Sequence, residues 1–222
     1  MNRRELLSRV DHTLLSPRAT WEEIITLCRE AEEYHTASVC IPPSYVAPVH
    51  IAFPGLTVCT VIGFPNGYNT TACKAAETRD AIENGAGEID MVVNLGWVKD
   101  SRYGDVLKEI RQVKAAAGTH ILKVIIETCL LTKEEKLRLC EIVSQSGAEF
   151  IKTSTGFSTG GATPEDIRLM REHCSPEIRI KAAGGICSLA DAEYFLSLGA
   201  DRLGSSRVVR LVQEEEKEEG VC

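Results

Sequence analysis

No stretch of this 222-residue sequence approaches the roughly 18 consecutive apolar residues that a bilayer-spanning helix requires. The apolar segment ILKVIIETCLL, which starts at residue 121, is broken by Lys123 and Glu127. No leader is expected either. The N-terminal MNRRELLSRVDHTLL is interrupted by Ser8, Arg9, Asp11 and His12, so it is not expected to act as a signal peptide. Positive charge is in deficit: Lys and Arg number 25 against 32 Asp and Glu, a formal net charge of -7. Binders of the phosphate backbone need clustered basic surface, so nucleic acid is excluded as the expected partner. The nine cysteines contain no C-x-x-C and the five histidines no H-E-x-x-H, which argues against a disulfide framework or a zinc site. GAGEID, residues 85–90, precedes a strand where a dinucleotide loop would follow one, and it lacks the third glycine. No metal and no cofactor are therefore expected. The expectation is a cytosolic protein with reduced thiols, small soluble partners and no membrane association. Most cysteines, Cys59 and Cys129 among them, are read as small hydrophobes filling core space.

What the sequence does have is a regular alternation. Short β-branched runs recur at residues 38–41, 57–64, 88–94, 121–127, 150–154 and 178–182, with weaker candidates at 11–15 and 201–206. Such runs suit strands buried on both faces of a parallel sheet. Amphipathic segments lie between them. TKEEKLRLCEIVSQSG carries Thr132 as a candidate N-cap, Glu135 three residues later and Gly147 at its stop; TPEDIRLMREH opens with Thr163 and Pro164 in the same way. Eight such units predict a single-domain α/β fold over residues 1–222, a (β/α)8 TIM barrel; a doubly wound open sheet is the competing layout. The barrel is preferred because polar residues fall at the C-terminal ends of many strands, not at one switch point. Residues 214–222, rich in glutamate, are expected to form a frayed acidic helix end.

Four successive strand candidates carry a titratable group: Asp90 in EIDMVVN, Lys123 in ILKVIIE, Lys152 in FIKTS and Lys181 in IRIKA. Neighbouring barrel strands would let them share one polar centre. A lone Lys–Asp pair is more often a structural ion pair, but repetition on adjacent strands weighs against that reading. An amine crowded by ammonium groups in a partly desolvated pocket loses its proton more readily, and the neutral amine can form a Schiff base with a carbonyl. The protonated imine is an electron sink for making or breaking a C–C bond. Glycine-rich segments follow the later strands: STGFSTGG with Thr155 and Gly156, AAGGI with Gly184 and Gly185, and LGSS with Gly204, Ser205 and Ser206. Backbone N–H groups there, followed by helix N-termini, make a candidate phosphate cradle after strands seven and eight.

With these residues in hand, the sequence resembles the deoxyribose-phosphate aldolases, of the class I, short bacterial and archaeal type. DHTLL, VCIPP, TVIGFPNG, EIDMVVN, LKVIIET, FIKTSTGF and KAAGGI match in order along nearly the whole chain. The resemblance implies reversible cleavage of 2-deoxy-D-ribose 5-phosphate to acetaldehyde and D-glyceraldehyde 3-phosphate. It implies Lys152 as the Schiff-base residue, Asp90 and Lys181 as a proton relay in which Lys181 stays cationic, and Lys123 hydrogen-bonded beside them. Asp11 and Thr13 are expected to line the pocket and contact sugar hydroxyls or Lys123; a capping aspartate at a strand end is the plainer reading. Cys40 corresponds to a thiol trapped by an aldehyde by-product in some relatives, or is inert packing. Two departures stand out: many relatives carry a basic residue where this chain has Cys187, and a second serine where it has Arg207. Arg207 is therefore a candidate for the phosphate contact, or else a surface arginine on the last helix. The terminal tyrosine of longer relatives is missing, so tail-gated proton transfer is not expected. A homo-oligomer, dimer or tetramer, is expected from the apolar residues left for outer helices. Two alternatives remain open at this level: a sibling Schiff-base aldolase acting on another phosphorylated sugar, and a non-catalytic sugar-phosphate binding barrel.

Overall fold

Eight parallel strands close into one barrel, each paired with its sequence neighbours and the last with the first. The computed structural model describes residues 1–219. The strands are β1 Val10–Thr13, β2 Ser38–Ile41, β3 Val58–Ile62, β4 Glu88–Val92, β5 Ile121–Ile125, β6 Phe150–Lys152, β7 Arg179–Ala183 and β8 Arg202–Ser205. Closure rules out the open doubly wound sheet. The connecting helices that matter below are α1 Arg3–Leu7, α2 Trp21–Glu33, α3 Val46–Ala52, α4 Thr71–Glu83, α5 Leu95–Lys99, α6 Tyr103–Ala117, α7 Lys133–Ser144, α8 Pro164–His173, α9 Leu189–Ser197 and α10 Val208–Glu219. Among the described residues, no helix is long and apolar enough to cross a membrane.

The two faces of each strand have different surroundings, and the period of two explains why. Outward residues such as Val39, Ile89, Met91, Val124, Ile151, Ile180 and Leu203 join the helices in one continuous apolar core. Inward residues are largely polar, interrupted by Phe150 and by a small cluster of Cys40, Cys59 and Val61. Each strand is thus buried on both sides, with its Asp, Glu, Lys and Arg side chains on the inner face.

Side-chain caps fix where the helices start. Thr132 accepts from the Glu135 backbone while Glu135 reaches back to the Thr132 N–H, a capping box that opens α7; Thr163 caps α8 with Pro164 in its first turn. Each such cap contributes about 1 kcal/mol. Gly147, three residues beyond α7, takes φ +87°, a conformation L side chains rarely adopt. At the other end of the chain Arg3 pairs with Glu215 at 2.8 Å and the Tyr34 hydroxyl donates to Glu216 at 2.8 Å, so α10 is bound to α1 and to the end of α2. Residues 214–219 of the acidic tail are helical; the last three residues of that tail lie outside the described residues.

Candidate active site

Residues two apart on a strand point the same way, so the barrel interior is built in tiers. Glu88 and Asp90 share the inner face of β4, Phe150 and Lys152 that of β6, Arg179 and Lys181 that of β7, Arg202 and Gly204 that of β8. Parallel register then sets Asp90 beside Lys123 and Lys152 beside Lys181. The result is a buried ionic cluster. Lys123 Nζ donates to Asp90 Oδ1 at 2.8 Å and lies 2.6 Å from Glu88 and 3.7 Å from Asp11. Lys152 Nζ and Lys181 Nζ both donate to Asp90 Oδ2, at 2.8 and 2.7 Å. Lys181 also pairs with Asp11 at 2.5 Å. Arg202 closes the lower tier, bound to Asp11 and 3.4 Å from Glu88.

Burial alone would favour the neutral forms of Asp11, Asp90, Lys123 and Lys181. It is outweighed here by the neighbours. Burial opposes the Asp90 charge, yet Lys123, Lys152 and Lys181 hold its carboxyl well below the usual carboxylate range. Asp11, against the same burial, is held down by Lys181, Lys123 and Arg202. Lys181 and Lys123 are pulled down by burial but pushed up further by the carboxylates, Asp11 and Asp90 for the first and Asp90, Asp11 and Glu88 for the second. Both remain cations. Cys59 donates to Asp90 Oδ1 at 3.2 Å, and its thiol is pushed well up, by burial first and then by Cys40 and Asp90. Two groupings, Cys40 with Cys59 and Asp90, and Asp11 with Cys59 and Glu88, are close enough to suggest metal ligands. Every carboxylate in them already faces a lysine or arginine, so a metal ion would have to displace an ammonium or guanidinium.

A cavity of about 530 Å³ opens above this cluster at the C-terminal end of the barrel. Of the groups in the cluster, Lys152 alone lines it; Asp90, Lys123 and Lys181 lie beneath its floor. Thr13, Thr155 and Gly156 form part of the wall. Gly184, Gly185, Gly204, Ser205, Ser206 and Arg207 form another part, beside Ser16, Phe157 and Cys187. Among the described lining residues there is no carboxylate, and the cations are Lys152 and Arg207. The Arg207 and Val208 amides donate to Ser205 Oγ, which caps the start of α10 at this wall. Gly184 and Gly185 take φ of +77° and +76°, and a Cβ on the facing Gly161 would lie 2.4 Å from the Gly184 carbonyl carbon. The backbone can approach this closely only because no side chain intervenes.

Of the readings left open, Asp11 meets Lys123 at 3.7 Å and Cys40 is packing, while Cys129 stands elsewhere than expected. Asp11 is no part of the wall: it sits one pleat below Thr13, where Ser38 donates to its Oδ1 at 2.7 Å and Arg202 and Lys181 take up the rest of its charge. Cys40, in register with Thr13, is fully buried because Leu15 and Phe64 cover it. Cys129 is exposed instead of in the core, with Sγ 3.4 Å from Ser158 Oγ.

The sequence reading missed Glu88, Arg202 and Glu127. Alternation was the available signal for the first two, since each lies two residues before a residue already singled out. Glu127 has φ +53° and accepts hydrogen bonds from the Thr155 amide, at 3.2 Å, and from the Thr155 hydroxyl, and so holds the loop after β6. Nothing local marked it, because its partner is 28 residues away.

A family model described as the DeoC/LacD family of aldolases matches residues 6–201. The chain is 57% identical over 221 residues, 99% of each chain, to a deoxyribose-phosphate aldolase of Streptococcus agalactiae. It is 52% identical to one of Clostridium botulinum over 97% of this chain and 98% of the other. The structure of the tetrameric deoxyribose phosphate aldolase of Aeropyrum pernix superposes with a TM-score of 0.87 at 32% identity, over 97% of this chain and 92% of that one.

Proposed function

Since the chain belongs to the DeoC/LacD family of aldolases, we propose that it cleaves 2-deoxy-D-ribose 5-phosphate reversibly to acetaldehyde and D-glyceraldehyde 3-phosphate through a Schiff base on Lys152. One observation carries the reading: of the buried ionic cluster, only Lys152 reaches the cavity. Its partner Asp90 is shared with Lys181, and Lys181 has Asp11 besides. Lys152 is thus the amine of the cluster with the fewest carboxylate partners and the one a substrate carbonyl can reach.

The unprotonated Nζ of Lys152 adds to the aldehyde carbon, C1, of the open-chain sugar, and loss of water leaves a protonated imine. The C3 hydroxyl then loses its proton, the C2–C3 bond breaks, and its electron pair enters the imine to give an enamine as glyceraldehyde phosphate departs. Protonation at C2 and addition of water to C1 release acetaldehyde and restore the amine. Asp90 Oδ2, in contact with both Lys152 and Lys181, passes protons between them, and Lys123 holds the other oxygen of that carboxylate. Proton transfer by groups so placed contributes about 10²- to 10⁴-fold in rate. Arg207, the Gly184–Gly185 turn, Gly204 and Ser205 with Ser206 hold the phosphate, on a wall without carboxylates; Thr13, Thr155 and Gly156 face the sugar. Cytosolic location is supported by the free thiols of the eight described cysteines. The tetrameric Aeropyrum relative supports a homo-oligomer.

Incubation with acetaldehyde and borohydride, followed by peptide mass spectrometry, should place an ethyl adduct on Lys152, and cleavage assays should favour deoxyribose 5-phosphate over fructose phosphates. No adduct would mean a binding barrel. An adduct without this preference would mean an aldolase for another sugar.

A further inference from the structure

The cluster holds four cations, Lys123, Lys152, Lys181 and Arg202, against three carboxylates, Asp11, Glu88 and Asp90. Four less three leaves one surplus positive charge, and the three carboxylates are all less than a tenth exposed. Water cannot screen the imbalance there. Removal of the Lys152 proton brings the cluster to neutrality, with three cations facing three carboxylates. The buried lower tier adds one acid and one base, whose charges cancel and leave that surplus at one: Glu88 bound to Lys123 at 2.6 Å, and Arg202 bound to Asp11 with its guanidinium 5.6 Å from the Phe150 ring centroid. Neither residue lines the cavity or touches Lys152. Purely structural packing would be served as well by apolar side chains of similar volume.

We propose that Glu88 and Arg202 are positioning residues of the reaction, a matched pair in which each offsets the other's charge, so that the surplus felt at Lys152 stays at one and with it the pH at which Lys152 exchanges its proton. The inference rests on the Schiff-base role of Lys152 proposed above. The groups that face Lys152 and the cluster are Asp11 from β1, Cys40 from β2, Cys59 from β3, Asp90 from β4, Lys123 from β5, Lys181 from β7, the exposed Arg179 at the start of β7, which stacks on the far side of the lower tier 4.1 Å from the Phe150 ring centroid, and, at the cavity wall, Arg207 before α10. Asp11 and Asp90 are held ionised and Lys123 and Lys181 charged. The lower tier is therefore where a change of charge meets fixed neighbours and is passed up to Lys152.

The two residues then act in opposite directions. Glu88→Gln leaves two surplus cations, so Lys152 gives up its proton at lower pH. Arg202→Met leaves none, so the proton is held to higher pH. Each shift should be on the order of one pH unit, a tenfold change in free amine at a fixed pH on the limb. The Glu88→Gln/Arg202→Met double variant and Arg202→Lys both keep the surplus at one, and both should return the limb to its original place even if overall activity falls. The experiment is the rate of acetaldehyde and borohydride trapping at Lys152, read by mass spectrometry from pH 5 to 10, alongside kcat/KM over the same range. Opposed shifts of the single variants, with recovery in the double variant and Arg202→Lys, support the inference. Should a single variant fail to fold, the double variant and Arg202→Lys decide: a displaced limb in either overturns it, as do unshifted or like-signed single variants. Absence of any adduct in the unsubstituted enzyme would instead overturn the Schiff-base reading itself.

Discussion

Lys152 and Lys181, partners in register across β6 and β7, donate to one and the same carboxylate oxygen, Asp90 Oδ2, at 2.8 and 2.7 Å. One oxygen cannot fully compensate two ammonium groups. Lys181 has a second carboxylate in Asp11 at 2.5 Å, so of the two ammonium groups it is the more fully compensated. Replacement of Lys181 by methionine removes the competitor and leaves Asp90 to Lys152 and Lys123. The ammonium form of Lys152 should then persist to higher pH, and kcat at pH 7 should fall by about 10²-fold or more. A kcat–pH profile checks this. A drop of equal size at every pH would mean that Lys181 acts only by holding the barrel together.

The same electrostatics predicts the shape of the stability–pH curve. Asp11 and Asp90 are depressed by their lysine and arginine neighbours against burial, so the unfolded chain binds protons at these groups before the folded one does. Their contribution is complete above the ordinary carboxylate value, about 3.9, and is lost as pH falls from there toward their folded values. Lys123 and Lys181 are raised by their carboxylates against burial. Their contribution is complete below the ordinary lysine value, about 10.4, and is lost as pH rises beyond it. Urea midpoints should therefore fall at both ends, and Asp90→Asn should weaken both falls, since Asp90 depends on the lysines and they on it.

Arg207 and Lys152 are the cations of a cavity wall that has no carboxylate among its described residues. Arg207→Ala should raise KM for deoxyribose 5-phosphate at least about tenfold, the cost of one charge-assisted contact. KM for free deoxyribose should stay nearly unchanged. Steady-state kinetics on both sugars decides, and an equal rise for both would remove Arg207 from the phosphate site.

The barrel was legible because strands buried on both faces leave short β-branched runs of fixed spacing, and SVCI at 38–41 matches β2 residue for residue. Lys123, Lys152, Lys181 and Asp90 were legible because a charge inside such a run has no solvent to face. Glu88 and Arg202 were not, since each opens its strand, where a charged residue looks like an end. Only closure of the barrel brings Arg202 to Asp11, 191 residues away in sequence. Asp11 and Cys40 were recognisable as interior, but Asp11 lies one pleat below the wall, and the depth of Cys40 depends on Leu15 and Phe64, two loop residues that pack against it.

Lys74 and Glu109 show the opposite balance. They join α4 to α6 at 2.9 Å with both side chains fully buried. Nothing in TACKAAETRDAIE marked Lys74 as interior. Burial pushes Lys74 down despite Glu109, and burial pushes Glu109 up despite Lys74, so each is shifted toward its neutral form and the pair does not repay its desolvation. Either Lys74→Met or Glu109→Leu alone strands an uncompensated charge and should cost about 3–5 kcal/mol. The double variant should cost less than either single one. It will not be free, because the Val92 carbonyl and the Asn94 amide, now bound by Lys74 at 2.8 Å and by Glu109 at 3.2 Å, lose their partners at about 1 kcal/mol each. Urea unfolding of the four proteins closes the cycle, and losses that simply add in the double variant would show that the two residues are not energetically coupled.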